Sequence, residues 1–338
     1  MALNEKQKKG LFRGAIVTAI TLILIISLGY IAALRKNESF FNIKGLYEVE
    51  DLDVMFVGNS HAIVGIHSKQ FDELTGVQSY NAATTSQTVL SAELLVREAL
   101  NTHPDIDVIF VETFSMIYPL PSDPSYARAL DSDATVFRSV NNFSTKLIGM
   151  IQQPGIRRKF DAFLPLFKYH ASWKTPELWQ TRFLLSAPYE TNYATYRTSH
   201  ENGTRYTSYI MTFENYENFN EYSYEFDINY AMNNNLKYWD AIIEMCRENN
   251  TEVVFITIPW LPEFVENTNY DEIYAAYSDY FEENGVTYID LNMMDIPLEY
   301  TDFSNESTSP NQHMNDTGAG KVTEWLAEWF CGEFGKGE

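Results

Sequence analysis

Cysteine is nearly absent: Cys246 and Cys331 are the only two in 338 residues. That excludes a disulfide-stapled scaffold and any Cys-rich metal site. The two are far apart in apolar surroundings, which favours free thiols over a single bridge. Cations are also scarce, with 24 Lys and Arg against 46 Asp and Glu, for a formal net charge of −22. Phosphate neutralisation needs clustered cations, so general nucleic-acid binding is excluded. No His, Asp or Glu cluster has metal-ligand spacing, and there is no Walker loop or dinucleotide fingerprint. No metal and no cofactor are expected. Hydrophobic residues make up 45%, too many for a disordered chain.

One uncharged run stands out, Ala15–Leu34 (AIVTAITLILIISLGYIAAL), and it has no polar stripe. Its 20 residues, at 1.5 Å rise each, span about 30 Å, the thickness of a bilayer's hydrocarbon core. Lys6, Lys8, Lys9 and Arg13 precede it, and Arg35 and Lys36 follow. The excess of cations before the run places the N-terminus in the cytoplasm and the remainder outside. A cleaved signal peptide is the alternative. The apolar run is long for one, and Ile31-Ala32-Ala33 is a poor cleavage site, so a retained anchor is favoured. The expected layout is a basic cytoplasmic segment (1–14), a membrane anchor (15–34), a linker (35–50) and an extracellular α/β domain (51–338). Beyond residue 36, 18 Lys and Arg face 45 Asp and Glu, a net of −27. Such a surface stays soluble and says little about chemistry.

Within the ectodomain, Asp53–Gly58 (DVMFVG) and Asp107–Glu112 (DVIFVE) are short apolar runs of buried parallel-strand type. Val77–Asn81 reads as a strand between them, and Thr88–Asn101 has apolar residues at helical spacing. The alternation resumes with a helix over Leu236–Arg247, a strand at Glu252–Ile258 and a helix over Tyr270–Glu283. A strand at Val286–Leu291 and a helix over Gly318–Phe330 complete it. This predicts a flavodoxin-like doubly wound parallel sheet with helices on both faces. Residues 117–235 break the rhythm with a dense Tyr/Asn/Glu run. They read as an inserted aromatic-rich cap over the sheet's carboxyl edge, its tyrosines serving either as packing with wet hydroxyls or as a sugar-stacking surface.

In an open α/β sheet, ligands bind outside the carboxyl ends of the strands. Three segments fall there. Gly58-Asn59-Ser60-His61 follows the first strand, and a serine on such a turn presents its hydroxyl while its own amide faces an oxyanion. It also reads simply as a helix cap. Asn81-Ala-Ala-Thr-Thr-Ser86-Gln87-Thr88 is a small polar loop opening a helix, where amides lack intrahelical acceptors. His313, in Asn311-Gln-His313-Met-Asn315 before the last helix, has the chemistry of a general base.

Together these blocks resemble the SGNH (GDSL-like) hydrolase superfamily. The branch they look most like holds membrane-anchored extracytoplasmic members, similar to the DltD-type teichoic-acid D-alanylation and alginate-acetylation proteins. The resemblance covers Asp53–Met116 and Glu252–Phe330, through VMFVGNSH, SYNAATTSQT and QHMNDTGAGKVTEWL; Pro165–Trp173 also resembles a segment of that branch. It implies Ser60 as nucleophile, His313 as its base, and the amides of Ser60 and Ser86 as oxyanion donors. Where the family carries Gly, this chain has Ser86. The family's Asn after the third strand is missing from Val111-Glu112-Thr113-Phe114, and Pro310 occupies the place of its Asp. Asp302 is therefore the candidate to orient the imidazole, with Asn311 or a carbonyl as alternatives. His61, Asn81, Gln87, His170 and Asn311 are candidates to line the site. The implied activity is esterase or O-acyltransferase chemistry through an acyl-serine on a glycan, teichoic-acid or other cell-wall substrate. The alternative is a catalytically silent glycan-binding member, or a partner subunit of a membrane acyltransferase.

Overall fold

The computed structural model describes residues 4–33, 37–117, 127–170, 174, 194–219, 225–304 and 313–335. Val54–Val57 (β1), Ser79–Asn81 (β2) and Val108–Glu112 (β3) are buried at every residue, as strands covered on both faces must be. A two-residue hairpin follows, His200–Glu201 (β4) and Thr204–Arg205 (β5), and then Glu252–Thr257 (β6) and Thr287–Asp290 (β7). The main sheet is wholly parallel in the order β2-β1-β3-β6-β7. Counting its own strands, that is 2-1-3-4-5, the doubly wound order anticipated above. The order reverses between β1 and β3, and in this topology the ligand crevice opens beyond the carboxyl ends at that reversal.

The helices in chain order are α1 (Glu5–Ala33), α2 (Glu38–Leu46), α3 (Ser60–Gly65), α4 (Ser68–Thr75), α5 (Val89–Thr102), α6 (Ala127–Ser139), α7 (Phe143–Gln152), α8 (Gly155–Phe163) and α9 (Pro165–Tyr169). They continue with α10 (Phe213–Phe219), α11 (Ile228–Asn249), α12 (Pro262–Glu266), α13 (Tyr270–Asn284) and α14 (Asp316–Phe334). The chain divides into two compact units, one of Met1–Lys36 with Met150–Tyr193 and one of Asn37–Gly149 with Ala194–Glu338.

The second unit contains the sheet. On one face, Val54, Phe56, Phe110, Val254 and Ile256 pack with Phe71 of α4 and with Val322, Leu326 and Phe330 of α14. On the other, Trp239 of α11 meets Phe255 of β6 and Phe281 of α13 at centroid distances of 5.1 and 4.8 Å. Burying each such side chain contributes about 1.5–3 kcal/mol, so both layers are held chiefly by apolar burial. In the first unit, α1 meets α9 at Gly29, where a Cβ would lie 2.7 Å from Leu166 N. Ala32 and Ala33 are buried with Tyr169.

Two boundaries differ from expectation. The stretch 35–50 is not a free linker: it holds α2, whose Phe40, Phe41, Ile43 and Leu46 are buried. Asn42 locks that helix to the sheet by donating to Asn81 O at 2.9 Å and Ala83 O at 2.7 Å. The stretch 117–235 is not one cap either. Helices α8 and α9 cluster with α1, whereas α6, α10 and the β4–β5 hairpin belong to the sheet unit. There Thr204 Oγ1 donates to Ile66 O at 2.8 Å, and Met211 N donates to Phe303 O at 2.9 Å. Within the Tyr-rich run, residues 189–193 and 220–224 lie outside the described residues.

Candidate active site

Ser60 is the first residue of α3, directly beyond the end of β1. Asn59 caps this helix, its Oδ1 accepting the His61 N–H at 2.9 Å. The Ser60 amide is one of the donors that a helix start leaves without an intrahelical acceptor. His313 arrives from the far end of the chain. Its carbonyl accepts the Ser304 N–H at 2.6 Å, and Phe303 bridges Met314 in antiparallel fashion. Asn315 secures the next step, donating to Thr301 O at 2.7 Å while its Oδ1 caps α14 at Thr317 N and Gly318 N. The outcome is a Ser60 Oγ to His313 Nε2 distance of 2.8 Å across 253 positions of sequence. With its own proton on Nδ1, the imidazole accepts the serine proton at Nε2, which is the arrangement of an activated nucleophile.

The amide loop lies beside this pair. Thr84 N donates to Gly58 O at 3.0 Å, tying the loop to the turn that carries Ser60. Gln87 N donates to Thr84 O at 3.1 Å, which closes a four-residue turn. Ser86, its third residue, has φ +56°, the left-handed region where such turns favour Gly or Asn. The position that the resemblance assigns to Gly therefore demands a glycine-like backbone here, and serine adopts it at a cost of about 1–2 kcal/mol. Ser86 is half-buried at the helix side of that turn.

Two candidate site residues act as braces. Asn81 is buried and fully engaged: its Nδ2 donates to Ala62 O at 2.7 Å and its Oδ1 accepts the Ala83 N–H at 3.2 Å. It fixes α3 to the end of β2 and does not line the site. Gln87 is buried and donates to Thr84 Oγ1 at 2.9 Å within the amide loop.

His61 is drawn into the site, though not towards solvent. Its ring lies 4.0 Å from Phe114 and edge-on to His313 at 5.0 Å, with Nδ1 3.0 Å from Asn59 Oδ1. Burial, reinforced by the neighbouring His313, pushes it well below the usual imidazole range and keeps it neutral. Its Nε2 is buried without a hydrogen-bond partner among the described residues. Behind it Phe114 packs edge-on against Trp260 at 5.1 Å.

Asp302 does not orient the imidazole. Its Oδ2 receives Lys321 Nζ at 2.8 Å and the Glu299 N–H at 2.8 Å. The carboxylate is buried and faces α14, because the short helical turn Tyr300–Asp302 points it there. Its main chain, by contrast, accepts the Asn315 N–H at 3.0 Å and so supports the His313 segment. Asn311 and Pro310 lie outside the described residues. His170 is an exposed residue of the first unit, with Nδ1 2.8 Å from Phe167 O at the end of α9. Among the described residues no three His, Cys, Asp or Glu side chains gather as a metal cage.

One residue escaped the sequence reading. Glu112, at the end of β3, is buried under the Ser60 turn and accepts the Phe114 N–H at 2.7 Å and also the Asn59 N–H. Burial outweighs these bonds and pushes its carboxyl up to about 8, so it is protonated at neutral pH. An acid closing an otherwise apolar strand was the available signal.

No protein-family model matches the chain, and no curated protein sequence matches it. Among solved structures it is similar to a candidate acylhydrolase from Bacteroides fragilis. That match covers 86% of this chain and 94% of the other, at 9% identity and a TM-score of 0.39.

Proposed function

We propose that this chain is an anchored cell-envelope serine esterase or O-acyltransferase. The observation that carries the reading is the 2.8 Å contact between Ser60 Oγ and His313 Nε2 at the carboxyl edge of the sheet. In the first step His313 takes the Ser60 proton as Oγ attacks an ester carbonyl. The Ser60 amide, with that of Ser86, receives the oxyanion. The intermediate collapses, the proton passes to the leaving alcohol, and an acyl-serine remains. Water or a sugar hydroxyl, deprotonated by the same imidazole, then takes the acyl group. His61, buried and neutral beside His313, packs edge-on against the imidazole that serves as base.

The favoured substrate is an acylated glycan or teichoic-acid-type polymer, and a membrane acyltransferase is the matching partner for transfer. The long apolar stretch of α1, with four cations in the helix's first turns ahead of it, supports a single-pass anchor with the N-terminus in the cytoplasm. A second reading has support in the engagement of Asp302 with Lys321, which leaves the imidazole without that carboxylate. It keeps the fold as a binding module and drops the chemistry.

Turnover of short acyl esters by the detergent-solubilised full chain tests the first reading. Hydrolysis lost in Ser60→Ala supports it. Equal rates for a folded Ser60→Ala contradict it.

A further inference from the structure

The first unit carries an apolar stripe that its own packing does not cover. On α8, Ile156, Phe160 and Phe163 recur at i, i+4 and i+7, one face of a helix, and are 85%, 48% and 42% exposed. Phe167 of α9 extends the stripe, its ring 5.5 Å from that of Phe160. Single exposed apolar residues are ordinary, but a contiguous aromatic row marks a contact surface.

Charge narrows what covers it. Arg157, Arg158, Lys159 and Lys168 flank the row, and Asp161 is the one acid among residues 155–170. This is a basic island in a chain of net −22. A polar face rich in Lys and Arg beside an aromatic face is the composition of helices lying in a membrane interface.

Position supplies the second argument. Along α1, residues from Ile16 to Leu28 keep bare apolar side chains, whereas Gly29, Ala32 and Ala33 are buried. The covered turn is the last of the apolar run, where the chain leaves the bilayer, and α9 is what covers it, with Leu166 against Gly29 and Tyr169 against the two alanines. The stripe is thus attached to the last turn of the apolar run, which on the reading of α1 as a membrane span is its headgroup end.

We propose that α8 and α9 form a foot that lies in the outer membrane interface, with the aromatic row among the upper acyl chains and the cations on anionic lipid headgroups. This rests on the reading of α1 as a membrane span. A foot of this kind holds the exit of the anchor flat against the bilayer, where an enzyme working on surface polymers meets its substrate.

The test uses the full chain in lipid nanodiscs of phosphatidylcholine with phosphatidylglycerol, with Cys246→Ala and Cys331→Ala as background. An environment-sensitive fluorophore is placed at Ile156→Cys, or at Ile23→Cys within α1 as reference. The expected result is quenching of both by nitroxide-bearing lipid, the position-156 probe at the shallower depth. The triple variant Arg157→Glu, Arg158→Glu and Lys159→Glu is expected to lower lipid quenching at position 156 by about fivefold or more, the weight of one surface cation, with position 23 unchanged. Quenching of the position-156 probe by an aqueous quencher alone, with position 23 still in lipid, overturns the foot and leaves the anchor standing. Shielding of position 156 from both quenchers also overturns it, in favour of a protein contact. No lipid quenching at position 23 overturns the anchor, and the foot with it. An unchanged triple variant overturns the headgroup assignment.

Discussion

Glu112 lies so close under Gly58 that a Cβ on the glycine would run into the Glu112 Cβ and come within 3.2 Å of its Oε2. The turn that presents Ser60 is therefore seated on the side chain ending the neighbouring strand, and its first residue has to be glycine. Gly58→Ala is expected to destabilise the sheet unit by about 1–3 kcal/mol, the usual cost of overpacking. Urea unfolding of the variant against the parent measures it, and an unchanged midpoint would show that the turn has room to move.

The Glu112 carboxyl imposes a pH dependence. Its value is raised in the folded protein to about 8, from an ordinary 4.5, by burial. The native state therefore binds a proton that the unfolded chain has released across that interval. The associated stability is fully present below 4.5 and declines as pH rises towards 8. Melting temperatures at several pH values should fall more steeply for the parent than for Glu112→Gln, which keeps the shape and cannot ionise. Parallel curves would place this group's titration elsewhere.

Ser86 carries the reverse expectation. Its φ of +56° is unstrained for glycine, so Ser86→Gly should leave ester turnover intact. The relief of about 1–2 kcal/mol of left-handed strain is offset by about 0.5–1 kcal/mol of extra chain entropy. A small net gain in stability is the expected reading from denaturant midpoints. A clear loss would mean that the serine hydroxyl contributes to the loop.

Asp302→Asn separates a structural from a catalytic carboxylate. Because Asp302 meets Lys321 and the Glu299 amide, the substitution should cost about 1–3 kcal/mol of stability. It should leave the pH profile of turnover where it was. A profile shifted along the pH axis would assign Asp302 to His313 after all.

Most of the sheet was readable because DVMFVG, DVIFVE and EVVFITI are strands buried on both faces, and burial on both faces removes polar residues from the run. Ser60 and His313 were readable as local blocks at strand and helix ends. Their meeting at 2.8 Å depends on how the chain returns over 253 residues, which no local pattern encodes. The linker assignment of 35–50 failed because ESFFNIKGL, placed next to an anchor, shows its apolar face only once Asn42 finds Asn81 and Ala83. Asp302 lay at a plausible separation from His313, yet its direction follows from a turn closed by the Glu299 amide and from a lysine 19 residues on. Glu112 closes an apolar strand in the sequence, and its burial beneath Gly58 is a tertiary fact.

His313→Ala should lower turnover by about 10²–10⁴, the range of a positioned general base, while Ser60 stays in place to be acylated slowly. A fall of less than tenfold would remove His313 from the reaction.

The most direct test of the central claim is treatment of the full chain with a fluorophosphonate probe, followed by peptide mapping of the adduct. The account predicts a covalent label on Ser60, strongly reduced in His313→Ala and absent from Ser60→Ala. A folded wild-type chain that takes no label, or takes it on another residue, would contradict it.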